Sequence, residues 1–303
     1  IHNFEYENLK SSSYLRRLIF DEILASFLIS SQIRSKIKRI KKKNKIFNKN
    51  IKFQYLKKLK FDLTSDQKNA INDIEKDLAS KERMFRLIQG DVGSGKTIVS
   101  LIAALNTIKS GYQVALMVPT AILAEQHYNF STKFFNSDIK VELISGKINY
   151  LNKKKILQNL ENNKIKLIIG THALFQKKIK FKKLGLVVID EQHKFGVRQR
   201  IDLSNKGGKD CDLLLMSVTP IPRTLILSVY GDMDVSRLTE KPSNREDILT
   251  LSKPEEKLNE IINFISKEIA KKNQVFWVCP LIDKSKNLDY TAAIKKYESL
   301  SKI

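Results

Sequence analysis

The chain has 303 residues, of which 42% are hydrophobic, and it carries a formal charge of +23 at pH 7. This length and composition suit about two folded domains and exclude a disordered tail. No stretch reaches the roughly 18 consecutive apolar residues that a membrane-spanning helix needs. Two cysteines lie far apart without metal-ligand spacing, which is typical of reduced thiols. We therefore expect a cytoplasmic protein without a membrane partner.

The beginning of the chain is predicted to be helical and strongly basic. Apolar residues recur at helical spacing over 9–43, which indicates an amphipathic helix. The run 34–60 holds 13 Lys or Arg and no Asp or Glu. Such a run attracts polyanions, although it is also typical of a solvated surface. Three lysines are predicted to contact DNA: Lys41, Lys42 and Lys43. Three interleaved aromatic residues are predicted to lie along sugars or bases: Phe47, Phe53 and Tyr55.

From residue 61 onward, short apolar strands alternate with segments of helical length. Several strands are apolar nearly throughout, as expected for a parallel sheet covered by helices on both faces. The predicted strands cover 85–89, 113–119, 141–145, 166–171, 185–191 and 212–219. The fold class is therefore predicted to be α/β, with a doubly wound parallel sheet. After a linker-like stretch at 240–247, the helix "PEEKLNEIINFISKEIAKK" and the strand "QVFWVCP" are predicted to begin a second unit.

The stretch "GDVGSGKT", residues 90–97, lies between a predicted strand and a predicted helix. It fits the phosphate-binding pattern Gly-x-x-x-x-Gly-Lys-Thr in the strand-to-helix context that this pattern requires. Its glycines allow backbone N–H groups to converge on phosphate oxygens, and the helix adds its positive end. Lys96 is predicted to reach the β- and γ-phosphates, and the Thr97 hydroxyl to bind Mg²⁺. The predicted ATP-binding residues are Gln67, Gly90, Asp91, Val92, Gly93, Ser94, Gly95, Lys96 and Thr97.

The stretch "GLVVIDEQH" places two acids at the end of a predicted buried strand, beside the phosphate site of a doubly wound sheet. Asp190 suits the coordination shell of Mg²⁺, and Glu191 suits deprotonation of the attacking water. Gln67 has the amide geometry that pairs with N6 and N7 of adenine. The predicted catalytic residues are Glu191, Asp190 and Lys96.

Six stretches occur in an order that resembles the motifs of the superfamily 2 helicases and translocases: "LTSDQ", "GDVGSGKT", "VPTAILAEQH", "GTHAL", "DEQH" and "SVTPIPRTL". Within that superfamily, "ILAEQHYNF", "GTHALFQ", "VIDEQHKFGVRQR" and "YGDMDVS" look like sequence blocks of the RecG family of bacterial branched-DNA helicases. The resemblance covers essentially the whole chain. It implies a RecA-like fold, ATP and Mg²⁺ as cofactors, forked or Holliday-junction DNA read by shape, a monomer, and a place beside the bacterial nucleoid.

The resemblance also implies roles for residues by their position in the motifs. Five residues at two strand ends would contact the DNA backbone: Pro119, Thr120, Gly170, Thr171 and His172. Three residues would couple the nucleotide state to DNA contacts: His193, Ser217 and Thr219. His127 is expected to have a structural or surface role.

The domain division implied by the resemblance has three parts. Residues 1–60 would be a helical basic linker from a wedge domain, 61–240 the first RecA-like helicase domain, and 241–303 the beginning of a second. The family's arginine-finger motif is not found, so we expect an internal fragment that binds nucleotide but neither hydrolyses ATP efficiently nor unwinds DNA.

Two other functions stay open. A duplex-DNA translocase of the transcription-repair coupling type is disfavoured by "DEQH" and "YGDMDVS". A DNA-binding module without catalysis is disfavoured by four intact residues: Lys96, Thr97, Asp190 and Glu191.

Overall fold

The structure is a computed structural model, and it describes residues 13–39, 41–144, 149–176, 178–191, 206–218, 233–240, 249–279 and 293–301. The chain divides into two compact units, Ile1–Arg245 and Glu246–Ile303, which are described separately. Within the described ranges, no helix combines the length and the apolar character that crossing a membrane requires.

The first unit is built on a sheet of seven parallel strands in the order β3-β4-β2-β5-β6-β1-β7. Their bounds are β1 Phe85–Gly90, β2 Gln113–Met117, β3 Val141–Ile144, β4 Leu167–Gly170, β5 Leu184–Ile189, β6 Asp212–Ser217 and β7 Asp234–Leu238. The six predicted strands are all present, within about two residues at each end. Strand β7 was not predicted, because its short sequence "DVSRL" is polar at three of five positions. It is the outermost strand of the sheet and pairs with β1.

The described residues of this unit include six α-helices: α1 Ser13–Arg39, α2 Lys49–Lys57, α3 Ser65–Ala79, α4 Lys96–Lys109, α5 Ala121–Phe135 and α6 Tyr150–Glu161. Successive residues of a strand point to opposite faces of the sheet. Accordingly, Ile88 and Val188 belong to one buried apolar cluster, and their neighbours Leu87 and Val187 belong to another. Because apolar side chains cover both faces, the predicted α/β class with a doubly wound parallel sheet is confirmed.

The basic run does not form one continuous exposed surface. Helix α1 ends at Arg39, and Lys42 and Lys45 lie beyond it, buried at the amino end of the sheet. The Lys42 ammonium donates to both carboxylate oxygens of Asp212, at 2.9 and 2.8 Å, and the Lys45 ammonium donates to Oδ2 at 2.6 Å. The prediction that Lys42 contacts DNA is therefore wrong, because its ammonium group is buried and bound to Asp212 inside the protein.

The aromatic residues of the same run are also drawn into the fold. Tyr55 is only 3% exposed, and its ring packs on Phe134 and Phe135. The Tyr55 hydroxyl donates to Oδ2 of Asp138 at 3.0 Å. Tyr55 is thus a core residue, and the prediction that it lies along nucleic acid is wrong. Phe47 is partly buried against the same core, whereas Phe53 is 58% exposed.

The second unit contains two described helices, α7 Leu258–Ala270 and α8 Ala293–Leu300. Helix α7 confirms the predicted helix in "PEEKLNEIINFISKEIAKK". Residues 274–279 of the predicted strand "QVFWVCP" have no regular structure, and Phe276 and Val278 are more than four-fifths exposed. The prediction fails there because a strand needs a hydrogen-bonded neighbour, and the described residues of this unit supply none. The assignment of this unit to a second RecA-like domain stays a prediction.

Candidate nucleotide-binding site

The loop between β1 and α4, residues 90–95, has the backbone geometry of a phosphate cradle. Gly93 and Gly95 have φ values of 77° and 87°, in the left-handed region that glycine adopts without steric cost. A Cβ at Gly95 would clash with the Gln67 side-chain amide and displace it from its hydrogen bond with the Ser94 carbonyl. Helix α4 begins at Lys96 without a side-chain cap. Its first N–H groups are therefore available to an anion.

Gln67 ties the start of α3 to this loop. Its Nε2 donates to the Ser94 carbonyl at 2.8 Å, and its Oε1 accepts from the Thr64 N–H at 3.0 Å. The Thr64 side chain accepts from the Gln67 N–H in return, which completes a capping box at the helix start. The Gln67 side chain is buried among these partners. Pairing of Gln67 with adenine stays a prediction, while its contact with the loop is a role that the sequence did not indicate.

Ser94 provides an independent sign that the loop accommodates a further polar group. Its Oγ is buried and has no hydrogen-bond partner among the residues that the structure describes. Buried polar atoms in native proteins are nearly always satisfied, so an orphaned hydroxyl in a phosphate loop points to a ligand. Together with the uncapped start of α4, this atom makes the loop fit a bound phosphate.

Lys96 holds a positive charge inside the loop. It is 8% exposed, and its Nζ donates to the carbonyls of Gly90 and Asp91 at 2.7 and 2.8 Å. Burial lowers the pKa of Lys96, and the charges of Asp190, Glu191 and Asp91 partly offset this. No direct ion pair with a carboxylate engages Lys96 in the described part of the chain. Its charge is therefore held by carbonyl dipoles that a phosphate can replace.

Asp190 and Glu191 follow β5, two strands from β1 with β6 between them, so roughly 10 Å separates the two strand ends. The Asp190 N–H donates to the Met117 carbonyl at 2.8 Å, which continues the pairing of β5 with β2. The Asp190 Oδ1 accepts from the Glu191 N–H at 3.0 Å. Glu191 itself has a φ of 49°, a left-handed conformation that non-glycine residues rarely adopt and that clusters at functional sites.

His127 joins this site from α5, which the sequence did not reveal. The residue is buried, and Nε2 lies 2.9 Å from Oδ2 of Asp190. The expectation of a structural or surface role missed this contact with a predicted site residue. The order of the elements could have indicated this contact, because α5 follows β2 and β2 pairs with β5. Neither spacing nor periodicity links residue 127 to residue 190.

The other residues predicted to couple the sites or to bind metal are Ser217, Thr97, His193 and Thr219. Those that the structure describes lie near the carboxyl ends of the same strands. Ser217 is the buried last residue of β6, between β1 and β5. Thr97 is partly buried in the first turn of α4. His193 and Thr219 lie outside the described residues.

The predicted DNA contacts meet at the neighbouring part of the carboxyl edge. Pro119 and Thr120 follow β2, while Gly170 ends β4 and is followed by Thr171 and His172. These strands are paired, with Met117 opposite Gly170. Two of these residues have structural tasks as well. The Thr120 hydroxyl caps α5 by accepting from the Leu123 N–H, and a Cβ at Gly170 would lie 2.8 Å from the Ile144 carbonyl oxygen.

Lys41 and Lys43 lie at the opposite, amino edge of the sheet. The Lys41 ammonium lies 3.9 Å from a carboxylate oxygen of Glu82 and is largely exposed. The Lys43 backbone N–H donates to Asp210, just before β6, and the residue is exposed. The structure therefore does not bring these lysines together with the DNA-contact residues predicted at the carboxyl edge.

The residues present also fit Mg²⁺ bound together with a nucleotide. Within the described ranges, no three His, Cys, Asp or Glu side chains converge as a metal site. Mg²⁺ at a phosphate site needs only one or two protein oxygens, because phosphates and waters complete its shell. The Thr97 hydroxyl and the Asp190 carboxylate are oxygen ligands of this kind.

Comparison with known proteins agrees with this geometry. A family model described as DEAD/DEAH box helicase matches residues 64–227. The ATP-dependent DNA helicase RecG of Thermotoga maritima is 43% identical over 287 residues, which cover 94% of this chain and 37% of the relative. RecG of Bacillus subtilis is 43% identical over 291 residues, covering 95% of this chain and 42% of the relative.

A solved structure of RecG bound to a three-way DNA junction superposes with a TM-score of 0.79 at 41% identity, covering 95% of this chain and 38% of that one. The chain thus spans about two fifths of the length of these relatives, and the resemblance to RecG helicases is confirmed. Since the family model matches more than half of its residues, the chain belongs to the DEAD/DEAH box helicase family.

Proposed function

We propose that this chain contains the nucleotide-binding core of an ATP-dependent helicase that acts on branched DNA in recombination and repair. The observation that carries the proposal is the meeting of Lys96, Asp190 and Glu191 at one sheet edge, in a chain 43% identical to RecG over 94% of its length. A translocase of the transcription-repair coupling type is not favoured, because the similarity to RecG extends over nearly the whole chain.

The phosphates of ATP would bind the loop 90–95 through its backbone N–H groups and the start of α4. Lys96 would exchange its two carbonyl acceptors for phosphate oxygens, which its flexible side chain permits. Thr97 and Asp190 would hold Mg²⁺, which neutralises charge on the β- and γ-phosphates. The Ser94 hydroxyl, which has no partner in the described part of the chain, would gain an acceptor.

Glu191 would orient the attacking water and accept its proton. Its left-handed backbone turns the chain immediately after β5, next to Asp190. Proton acceptance requires a carboxylate within hydrogen-bond reach of the water, and such a base contributes about 10²–10⁴-fold to the rate.

DNA would bind across the neighbouring strand ends, at residues 119–120 and 170–172. Contacts of backbone amides and hydroxyls with phosphates set register without reading base sequence, so the preference for forks and Holliday junctions would rest on shape. Ser217, at the end of β6, would connect this region with the nucleotide, aided by His193 and Thr219. The proposal includes a monomer that works beside the nucleoid in the bacterial cytoplasm.

The test uses the chain expressed with the flanking sequence of its gene. ATP hydrolysis is measured with a three-way junction and with a linear duplex of equal length, for wild type and for Glu191→Gln. We expect greater stimulation by the junction, and a loss of about 100-fold or more in turnover for the variant at unchanged nucleotide affinity. Equal stimulation by both DNAs contradicts the branched substrate. Unchanged turnover of the variant contradicts the role of Glu191.

A further inference from the structure

Both carboxylate oxygens of Asp190 accept hydrogen bonds from the protein. Oδ1 accepts from the Glu191 N–H at 3.0 Å, and Oδ2 lies 2.9 Å from Nε2 of His127. The first bond comes from the adjacent residue and moves with it. The second comes from α5, 63 residues earlier in the chain, so it fixes the carboxylate relative to a separate element.

His127 is itself held firmly by that element. Its ring side chain is 8% exposed, and α5 is anchored in the core by Ala124 and Phe135, both fully buried. At its start, α5 is capped by the side chain of Thr120. The ring therefore has little freedom to rotate away from Asp190, because each neighbouring turn of the helix is packed against the sheet.

The hydrogen-bond inventory of the ring assigns its tautomer. Nδ1 of His127 is buried and lacks a hydrogen-bond partner, so Asp190 is the polar partner of the ring among the described residues. A proton on Nδ1 would leave a buried N–H unsatisfied, which is costly. A proton on Nε2 is donated to Oδ2 and leaves only an acceptor lone pair at Nδ1. The Nε2–H tautomer is therefore the one that fits this contact.

We infer that His127 is a positioning residue for Asp190: it donates to Oδ2 and fixes the orientation in which the carboxylate faces Mg²⁺. The inference rests on the proposed function, because it requires Asp190 to hold the metal. Carboxylates that bind metals are commonly oriented by such hydrogen bonds, and removing the partner typically weakens metal affinity about 10- to 100-fold. His127 is thereby assigned a role in the site and not only in the packing of α5.

The experiment measures the Mg²⁺ requirement of nucleotide binding by the 303-residue chain. A fluorescent, non-hydrolysable ATP analogue is titrated at a series of free Mg²⁺ concentrations and in excess chelator. We expect His127→Leu to raise the Mg²⁺ concentration that gives half of the gain in affinity by about 10- to 100-fold. Affinity in chelator should stay at the wild-type value. His127→Gln, whose amide N–H can replace Nε2–H, should restore most of the Mg²⁺ response.

Two controls separate this inference from packing and from the proposed function. Ser131→Ala changes another fully buried residue of α5 and should leave the Mg²⁺ requirement unchanged. Asp190→Asn should raise it at least as much as His127→Leu. If His127→Leu does not fold, His127→Asn, whose amide is too short to reach Oδ2, takes its place with the same expectation.

The outcomes distinguish the two claims. An unchanged Mg²⁺ requirement in His127→Leu, with a raised one in Asp190→Asn, overturns the inference and leaves the proposed function intact. An unchanged requirement in Asp190→Asn overturns the metal assignment within the proposed function. An equal rise in Ser131→Ala and His127→Leu also overturns the inference, because α5 packing would then account for both.

Discussion

Lysines are buried at both the carboxyl edge and the amino edge of the sheet, that is, at the two ends of its strands. Their hydrogen-bond partners distinguish a lysine that can bind a ligand from lysines that stabilise the fold. At the carboxyl edge, Lys96 donates to two carbonyls and forms no direct ion pair with the described carboxylates. At the amino edge, Lys42 and Lys45 share the fully buried carboxylate of Asp212. The first lysine therefore has an ammonium group that can exchange its carbonyl acceptors for an anion. The ammonium groups of the other two are fully buried within the fold, so they are not accessible to DNA.

Burial lowers the pKa of Lys42 and of Lys96, and in both cases desolvation is the largest cause. The two lysines differ in the negative charges that raise the pKa against this effect of burial. For Lys42 the attraction comes first from Asp212 at 2.8 Å, and for Lys96 it comes from Asp190, Glu191 and Asp91 without a direct contact. A buried lysine is therefore informative about function only when its counter-charge is known.

The largest expected effect comes from breaking the amino-edge cluster. Asp212→Ala leaves two buried ammonium groups without their carboxylate and removes the acceptor of the Met84 N–H. Removing one partner of a buried pair typically costs about 3–5 kcal/mol, so we expect at least that loss in the free energy of unfolding. Urea denaturation measures it.

A variant of a neighbouring acid and an apolar triple variant test whether the loss arises from the buried ion cluster. Asp210→Ala, at a half-buried neighbouring acid whose carboxylate accepts from the Lys43 backbone N–H and whose carbonyl accepts from Lys45, should cost about 1 kcal/mol or less. The triple change Lys42→Met, Lys45→Met, Asp212→Leu should recover part of the stability, since apolar replacement of a buried ion cluster is often neutral, while the Met84 N–H still loses its acceptor. A loss below about 1 kcal/mol for Asp212→Ala contradicts the structural role of the cluster.

A smaller effect is expected at Tyr55, the residue of the basic run whose ring is buried in the core. Burial and the hydrogen bond to Asp138 raise the pKa of Tyr55 to about 12. The unfolded chain loses this proton near pH 10, while the folded chain keeps it, so this stability is lost as pH rises from about 10 to about 12. Between about pH 9 and pH 11, wild type should lose about 1 kcal/mol more than Tyr55→Phe. Parallel pH dependence of the two proteins in chemical denaturation rules this out.

The smallest effect concerns the exposed lysines at the amino edge. If Lys41 and Lys43 contact DNA phosphates, the double change to Gln, with Lys42 retained, should flatten the plot of log affinity against log salt. The slope should change by about 0.9 for each phosphate of duplex DNA that the variant no longer neutralises. An unchanged slope assigns both lysines to a solvated surface. Lys42→Gln serves as a contrast, because it should lower stability and not the salt dependence of the folded protein.

The sheet and the phosphate loop were predictable because local sequence determines them. Apolar runs such as "VALMV" predict buried parallel strands, and the glycine spacing of 90–95 predicts a loop whose φ values only glycine tolerates easily. Strand β7 was missed because its stability depends on pairing with β1, which its own sequence does not encode.

Contacts between distant residues were not predictable. A run of lysines has the same pattern whether it faces solvent or Asp212, which lies 170 residues from Lys42. The contact of His127 with Asp190 likewise depends on where α5 crosses the sheet. Long-range pairing of polar groups follows from topology, and no local periodicity reports it.

The assignment of Lys96 to nucleotide binding is tested most directly by comparing wild type with Lys96→Met in a calorimetric titration with a non-hydrolysable ATP analogue and Mg²⁺. Loss of a charged hydrogen-bond donor to phosphate should weaken binding about 10- to 150-fold. Urea denaturation without nucleotide should show a change below about 1 kcal/mol, since Lys96 has no direct carboxylate partner among the described residues. Equal affinity of both proteins, or a stability loss like that of Asp212→Ala, would contradict this assignment.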